Sequence, residues 1–182
     1  EKVYPVRAEA ENLLITTGGG DVDNIAGQIL EKLWQGDKQY HLVTGRFNPH
    51  FEALQELSQQ KPNIHVYHDV KDMASLMAAC DLAVTAGGTT IYELSAIGVP
   101  FVCFSYAENQ EKLTEFIGQK DVAGYAGAFH QNPQKTLEEI AQQIECLMGD
   151  IALRKRYNQK EKELVDGKGA TRIAEMIWRN VC

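Results

Sequence analysis

The stretch that decides the fold reads T-A-G-G-T-T-I-Y-E-L-S-A-I-G-V-P and covers residues 85–100. The apolar run D-L-A-V, residues 81–84, leads into two glycines, and a helical pattern with an acid one turn in follows them. Glycine lets the backbone approach a ligand closely, and the first N–H groups of a helix have no partner inside the helix. A strand, a glycine turn and a helix N-terminus in this order therefore favour a phosphate site.

Short apolar runs alternate with helical patterns from Asn12 onward, which predicts strands that alternate with helices. The strands are expected at residues 13–17, 40–44, 64–67, 81–85, 101–104 and 124–128. Strands and helices in alternation form a parallel sheet with right-handed crossovers, and continuously apolar strands fit a sheet that is buried on both faces. The predicted fold class is α/β, a Rossmann-like doubly wound parallel sheet of about six strands with a helical C-terminus.

Three helix starts carry a cap residue. Asp21 is expected to cap the first helix, and Asn48 and Asn132 to cap later helices whose first residues are Pro49 and Pro133. Residues 1–11 are interpreted as a tail or linker that precedes the domain at residues 12–182.

Composition excludes several classes of protein. A net charge of -7 over 182 residues argues against a nucleic-acid partner, which requires a basic surface. The sequence has no apolar run of the roughly 18 residues that a membrane span needs. The four cysteines show no C-x-x-C spacing, which indicates reduced thiols in a cytoplasmic protein.

A second glycine turn, Gly18-Gly19-Gly20, follows the first predicted strand. In a sheet of order 3-2-1-4-5-6, strands one and four are neighbours, and ligands bind at their carboxyl ends. Both glycine turns and both helix N-termini are then expected to face one diphosphate. Each Gly-Gly pair could instead be only a tight turn. An NAD-type site is disfavoured, because the third glycine of its fingerprint and the acid after the second strand are absent.

Glu93 allows two interpretations. The run Thr90-Ile91-Tyr92-Glu93 matches a capping box, in which the glutamate only bonds back to the helix start. If the helix begins at Gly88 instead, Thr89 and Glu93 lie on one face, and the carboxylate can accept both hydroxyls of a ribose. The strand and glycine turn that precede the helix favour the ribose interpretation.

Residues 85–100, together with Glu108-Asn109-Gln110, resemble the C-terminal half of GT-B nucleotide-sugar enzymes. The general pattern is shared with the bacterial enzyme that adds N-acetylglucosamine to the lipid-linked peptidoglycan precursor. The glycine turn with Asp21 resembles in particular the UDP-sugar hydrolase of pseudaminic acid synthesis and the spore-coat polysaccharide proteins described as predicted glycosyltransferases. The resemblance covers roughly residues 12–180 and is more specific for the superfamily than for the reaction.

The resemblance implies binding roles by position. The implied nucleotide-sugar-binding residues are Gly18, Gly19 and Gly20 near the diphosphate or sugar, Val70 at the base through its backbone, Gly87, Gly88, Thr89 and Thr90 at the phosphates, Glu93 at the ribose, and Asn109 and Gln110 at the sugar or acceptor. Asn109 could instead cap a helix, and Val70 could be an ordinary loop residue.

The resemblance also implies a missing part, since GT-B enzymes take the acceptor site or the catalytic histidine from an N-terminal half. The five histidines of this chain match no such residue, so no catalytic residue, metal or cofactor is assigned. The expected function is UDP-sugar binding within a hydrolase or glycosyltransferase of bacterial surface-polysaccharide synthesis, with this chain inactive alone. The alternatives are a non-catalytic sugar-nucleotide sensor or partner-binding module and, less favoured, an NAD(P)-binding domain.

Overall fold

The computed structural model describes residues 4–181, without the side chains of Asn180 and Val181. Its strands are β1 (Asn12–Thr16), β2 (Gln39–Thr44), β3 (Ile64–His68), β4 (Leu82–Ala86), β5 (Phe101–Ser105) and β6 (Gly124–Ala128). Its helices are α1 (Ile25–Leu33), α2 (Phe51–Gln60), α3 (Met73–Ala79), α4 (Thr89–Ile97), α5 (Glu108–Gln119), α6 (Pro133–Gly149), α7 (Ile151–Leu164) and α8 (Gly169–Val181). Each strand predicted from the sequence is present, with its ends within about one residue.

The six strands form one parallel sheet in the order β3-β2-β1-β4-β5-β6. The predicted doubly wound topology is therefore confirmed. The central strands β1 and β4 are adjacent, with Leu14 opposite Ala83 and Ile15 opposite Val84. All six strands run in the same direction, so the loops that follow them lie at one edge of the sheet.

Two apolar layers cover the two faces of the sheet. One layer packs α1 and α6 against alternate residues such as Leu13, Ile15 and Val84. The other packs α3, α4 and α5 against Leu14, Ala83 and Cys103. Because neighbouring strand residues point to opposite faces, this double burial explains why the strands are apolar without alternation.

Two predicted helix starts differ from the structure. The N-cap of α1 is Asn24, not Asp21, although the carboxylate of Asp21 accepts from the first two N–H groups of the helix. Helix α2 begins at Phe51 with His50 as its N-cap, not at Asn48 and Pro49. The side chain of Asn48 accepts a hydrogen bond from the backbone N–H of His50, at 2.8 Å, which closes a turn before the helix instead of capping it. The start at Asn132 is confirmed, because its side chain accepts from the N–H of Lys135 and Pro133 is the first helical residue.

The segment before β1 has no helix or strand between residues 4 and 11, yet it packs on the domain. The Tyr4 hydroxyl donates to the carbonyl of Cys80 at 2.7 Å. The fully buried guanidinium of Arg154 donates to the carbonyls of Arg7 and Ala8, at 3.0 and 2.7 Å. These contacts join the segment to α7 and to the start of β4.

The C-terminal helix α8 carries exposed apolar side chains, among them Ile173, Ile177 and Trp178. Within residues 4–181, no helix combines the length and the apolar character that crossing a membrane requires.

Candidate functional site

The turn between β4 and α4 presents backbone N–H groups that have no partner in the part of the chain that the structure describes. Gly88 is the N-cap of α4, and no side chain caps the helix. The N–H groups of Gly88, Thr89 and Thr90 meet no acceptor among residues 4–181. A Cβ added to Gly88 would meet no atom within 4 Å. The turn therefore offers free donors beside open space, which is what an anion at a helix N-terminus needs.

The helix register decides between the two interpretations of Glu93. Since α4 begins at Thr89, Thr90 lies inside the helix and cannot be its N-cap. The capping box of Thr90 and Glu93 is therefore not formed. Thr89 and Glu93 are four residues apart in the helix, on one face, and both are exposed. The carboxylate of Glu93 is thus not used as a cap and lies one turn from the free N–H groups.

Gly87 has a packing role. The residue is buried, and its N–H donates to the carbonyl of Phe104 at 2.9 Å. A Cβ at this position would lie 2.7 Å from the Thr114 methyl carbon and 2.9 Å from the Cβ of Gln110. Glycine at 87 therefore lets α5 pack closely against the turn that carries Gly88.

The first turn of α5 fixes the position of Gln110. Its Oε1 accepts from the backbone N–H of Tyr106 at 2.8 Å, so the side chain reaches back over the loop after β5. The N-cap of α5 is Ala107, and Asn109 lies inside the helix with an exposed side chain. The alternative that Asn109 caps this helix is therefore wrong.

The glycine turn after β1 differs from the one after β4. Gly18 has a φ of 96°, in the region that favours glycine. Both carboxylate oxygens of the buried Asp21 accept from α1, at 2.6 Å from the N–H of Ile25 and 3.0 Å from that of Ala26. The expectation that both helix N-termini present free N–H groups to a ligand is therefore wrong for α1, because Asp21 already accepts from the first two N–H groups of this helix. Its carboxylate would also repel a diphosphate placed there.

Three further contacts join the loops at the carboxyl edge of the sheet. A Cβ on Gly45 would lie 2.3 Å from the Cα of Gly19, so the loops after β1 and β2 touch through their backbones. Arg46 pairs with Asp69, with 3.1 Å between nitrogen and oxygen, and this links the loop after β2 to the loop that contains Val70. The sequence did not predict these two contacts or the contact of Tyr106 described next, because the partners are distant in sequence and no local pattern indicates them.

Tyr106 provides the third contact. Its hydroxyl donates to a carboxylate oxygen of Asp23 at 3.2 Å, which connects the loop after β5 to the loop after β1. The sheet thus brings the loops that carry Gly18, Val70, Gly88 and Gln110 to one edge. Val70 itself is half-buried between β3 and α3.

No group of three or more histidine, cysteine, aspartate and glutamate side chains within residues 4–181 could hold a metal ion. Three cysteines in this range are free thiols, of which Cys80 and Cys103 are buried, and Cys182 lies outside the described residues. Burial raises the pKa of the Cys80 thiol to about 12, so it is not a reactive thiolate at neutral pH.

A cavity of about 960 Å³ lies away from this edge, beside the amino end of β4. Its lining includes Tyr4, Ala78, Ala96 and Ile97, and none of the predicted ligand residues. Its size alone therefore does not make it the nucleotide site.

The model of the glycosyltransferase family 28 C-terminal domain matches residues 12–177. The chain belongs to this family. The spore coat polysaccharide biosynthesis protein SpsG of Bacillus subtilis is 30% identical over 178 residues, which cover 96% of this chain and 52% of SpsG. The UDP-2,4-diacetamido-2,4,6-trideoxy-beta-L-altropyranose hydrolase of Campylobacter jejuni is 25% identical over 114 residues, 63% of this chain and 41% of the hydrolase. Both belong to the group that the sequence resembles.

Solved structures show the GT-B fold. MurG of Acinetobacter baumannii superposes with a TM-score of 0.66 at 20% identity, over 94% of this chain and 52% of MurG. The spinosyn rhamnosyltransferase SpnG, complexed with thymidine diphosphate, superposes with a TM-score of 0.67 at 16% identity, over 91% of this chain and 44% of SpnG. The chain spans about half the length of these relatives, and it is a GT-B C-terminal domain with a Rossmann-like sheet.

Proposed function

We propose that this domain binds the nucleotide part of a UDP-sugar at the carboxyl edge of its sheet. The observation that carries the proposal is the uncapped N-terminus of α4, where three backbone N–H groups beside Gly88 have no partner within the described chain. The positive end of the helix dipole adds to these donors and favours a diphosphate there. SpnG, which shares the fold, is complexed with a pyrimidine nucleoside diphosphate.

Each part of the nucleotide has a candidate partner on the same edge. The diphosphate is assigned to Gly88, Thr89 and Thr90, and the ribose hydroxyls to the exposed carboxylate of Glu93. The loop of Val70 is assigned to the base, for which backbone N–H and C=O groups can bond uracil. Gly18 to Gly20 supply open backbone rather than a second phosphate-binding helix, since the carboxylate of Asp21 accepts from the first N–H groups of α1.

We propose that the complete enzyme is a sugar-nucleotide hydrolase or a glycosyltransferase of surface-polysaccharide synthesis. The names of SpsG and of the Campylobacter hydrolase support these two reaction classes. In both, the bond between the sugar and UDP breaks and UDP leaves. Free N–H donors at α4 would then stabilise the negative charge that develops on the departing diphosphate. The acceptor or the attacking water would be positioned by an N-terminal half.

Titration calorimetry with a panel of nucleotides tests the proposal. UDP is expected to bind more tightly than ADP, NAD or NADP. A sensor or partner-binding module would also bind UDP-sugars, and only turnover by a longer form of the protein separates it from an enzyme. Preference for NAD or NADP over UDP would contradict the proposed function.

A further inference from the structure

A hydrogen bond between Tyr106 and Asp23 joins two loops on either side of β4. Tyr106 follows β5 and Asp23 lies in the loop after β1, and β4 lies between these two strands in the sheet. Two strand spacings amount to about 10 Å, so the two side chains have to meet near the end of β4. Tyr106 packs with the apolar layer that contains α1, whereas α4 belongs to the layer on the opposite face. The pair therefore lies beside the turn of Gly87 and Gly88, on the side away from α4.

The bond is weak and can be exchanged for another. Its two oxygen atoms are 3.2 Å apart, whereas hydroxyl groups usually bond to oxygen at about 2.7–2.8 Å. Asp23 is exposed, and within residues 4–181 its carboxylate has no hydrogen-bond donor other than Tyr106 and no cation paired with it. Burial, the bond to Asp23 and the charges of Asp23 and Asp21 raise the pKa of Tyr106, so its hydroxyl keeps its proton at neutral pH. The hydroxyl is thus a donor whose present acceptor another anion can replace.

A diphosphate at the N-terminus of α4 would approach this pair from the other side of the crevice. The N–H groups of Gly88 and Thr89 and the positive end of the helix attract the diphosphate, while the carboxylate of Asp23 repels it. A phosphate oxygen accepts a charge-assisted hydrogen bond from a hydroxyl as a carboxylate oxygen does. The diphosphate and Asp23 therefore compete for the hydroxyl of Tyr106.

We propose that Tyr106 is a further diphosphate-binding residue and that Asp23 holds its hydroxyl while no nucleotide is bound. The inference rests on the proposed function, because it takes the diphosphate to lie at α4. When the nucleotide binds, the hydroxyl exchanges the carboxylate for a phosphate oxygen, and the carboxylate of Asp23 is left to water. Tyr106 thus favours binding, and Asp23 opposes it through its charge and through its hold on the hydroxyl.

A double-mutant cycle on UDP binding tests the inference. Calorimetry measures the dissociation constant of UDP for the parent, Asp23→Ala, Tyr106→Phe and the variant that carries both changes. Two controls remove the same groups away from the carboxyl edge. They are Asp37→Ala, before β2, where the carboxylate lies 3.5 Å from Lys38, and Tyr125→Phe, half-buried at the amino end of β6. Uridine, which has no phosphate, is measured by its competition with UDP, and circular dichroism with thermal unfolding establishes that each variant is folded.

Asp23→Ala is expected to bind UDP roughly tenfold more tightly than the parent, because the repulsion is removed and the hydroxyl is released. Tyr106→Phe is expected to lower UDP affinity roughly tenfold when it is added to Asp23→Ala. The loss is expected to be smaller in the parent, where the hydroxyl must first leave Asp23. Uridine affinity and the UDP affinity of both controls are expected to equal those of the parent.

Three results overturn the inference and leave UDP binding at α4 standing. The first is a folded Asp23→Ala variant that binds UDP no more tightly than the parent. The second is an equal effect of Tyr106→Phe in the two backgrounds, which would mean that Asp23 and the diphosphate do not compete. The third is an equal gain in Asp37→Ala, which would assign the effect to net charge. A parent that does not bind UDP instead contradicts the proposed function and the inference with it.

Discussion

Gly87 and Gly88 are neighbours in the sequence, yet their surroundings differ. A side chain at 88 would extend into open space, and its φ of -156° is extended backbone. Gly88→Val is therefore expected to fold like the parent and to lose UDP binding, because the branched side chain fills the space of the phosphate. Calorimetry measures the loss. Gly36→Val is the matched control, since a Cβ there also meets no atom within 4 Å. A folded Gly88→Val protein with full UDP affinity would refute the phosphate turn.

Gly87→Ala tests the packing role assigned to the other glycine. The new methyl group would lie under 3 Å from carbon atoms of Thr114 and Gln110, so α5 must shift. A destabilisation of about 1–3 kcal/mol is expected from such overpacking. Urea denaturation measures it. A variant as stable as the parent would show that α5 yields without cost.

The role of Glu93 in ribose binding can be separated from a role in helix stability. Because the capping box does not form, Glu93→Gln is expected to leave thermal unfolding unchanged. The neutral amide weakens the hydrogen bonds to the ribose, and UDP affinity is expected to fall roughly tenfold. Calorimetry with UDP and with 2′-deoxy-UDP locates the effect, because these two ligands differ only in a ribose hydroxyl. If helix stability falls and UDP affinity does not, Glu93 serves the helix instead.

Among the helices, α1 and α4 both follow a glycine turn, but the N–H groups at their N-termini have different partners. The carboxylate of Asp21 accepts from the first N–H groups of α1, whereas α4 has no side-chain cap. Asp21→Ala is therefore expected to reduce the free energy of unfolding by about 1–2 kcal/mol and to leave UDP affinity nearly unchanged. A large gain of UDP affinity in the folded variant would assign the diphosphate to α1 after all, because the substitution frees these N–H groups and removes a carboxylate that repels the anion.

Helix α7 contains a fully buried carboxyl group. Neither oxygen of Glu161 makes a hydrogen bond of good geometry within the described chain. Burial raises its pKa well above the usual range, and the charge of Lys162 and the nearby backbone N–H of Phe101 oppose this only in part. Lys162, Tyr4 and Tyr157 are the other titratable groups around it. The folded state thus keeps a proton that the unfolded state releases above about pH 4. The stability from Glu161 is complete below that pH, declines as the pH rises, and is lost above the folded pKa.

Glu161→Gln removes this titration. The variant is expected to gain stability over the parent as the pH rises above about 4, with little difference below. Denaturant unfolding at several pH values gives the comparison. An equal pH dependence in the two proteins would mean that Glu161 is ionised in the folded state.

For the whole molecule, the features that could be predicted are those that depend on residues close together in the sequence. The strand pattern, the cap at Asn132 and the glycine turns each lie within a few residues. The alternation of strands and helices indicated a parallel sheet, and the observed order is the one expected for this doubly wound fold type. The resemblance supplied the ligand roles. What could not be predicted depends on residues far apart, such as Tyr106 with Asp23 or Gly45 against Gly19. The sequence predicted that Asp21 would bond to the start of α1. Only the structure shows that this carboxylate occupies the N–H groups that a diphosphate would need there.

Catalysis belongs to the scale of the complete enzyme. The chain spans 52% of SpsG and residues 4–181 contain one α/β sheet, and we expect this sheet to form one wall of a two-domain cleft. With that wall alone, the sugar of a bound UDP-sugar would face water, with no opposing group to position an acceptor or to exclude solvent. This chain is therefore expected to bind UDP-sugars and to release little or no UDP from them. The measurement is UDP release from a panel of UDP-amino sugars, by this chain and by a form extended at its N-terminus. Rapid release by this chain alone would place the catalytic groups among its own residues, and the proposed division between the two halves would be wrong.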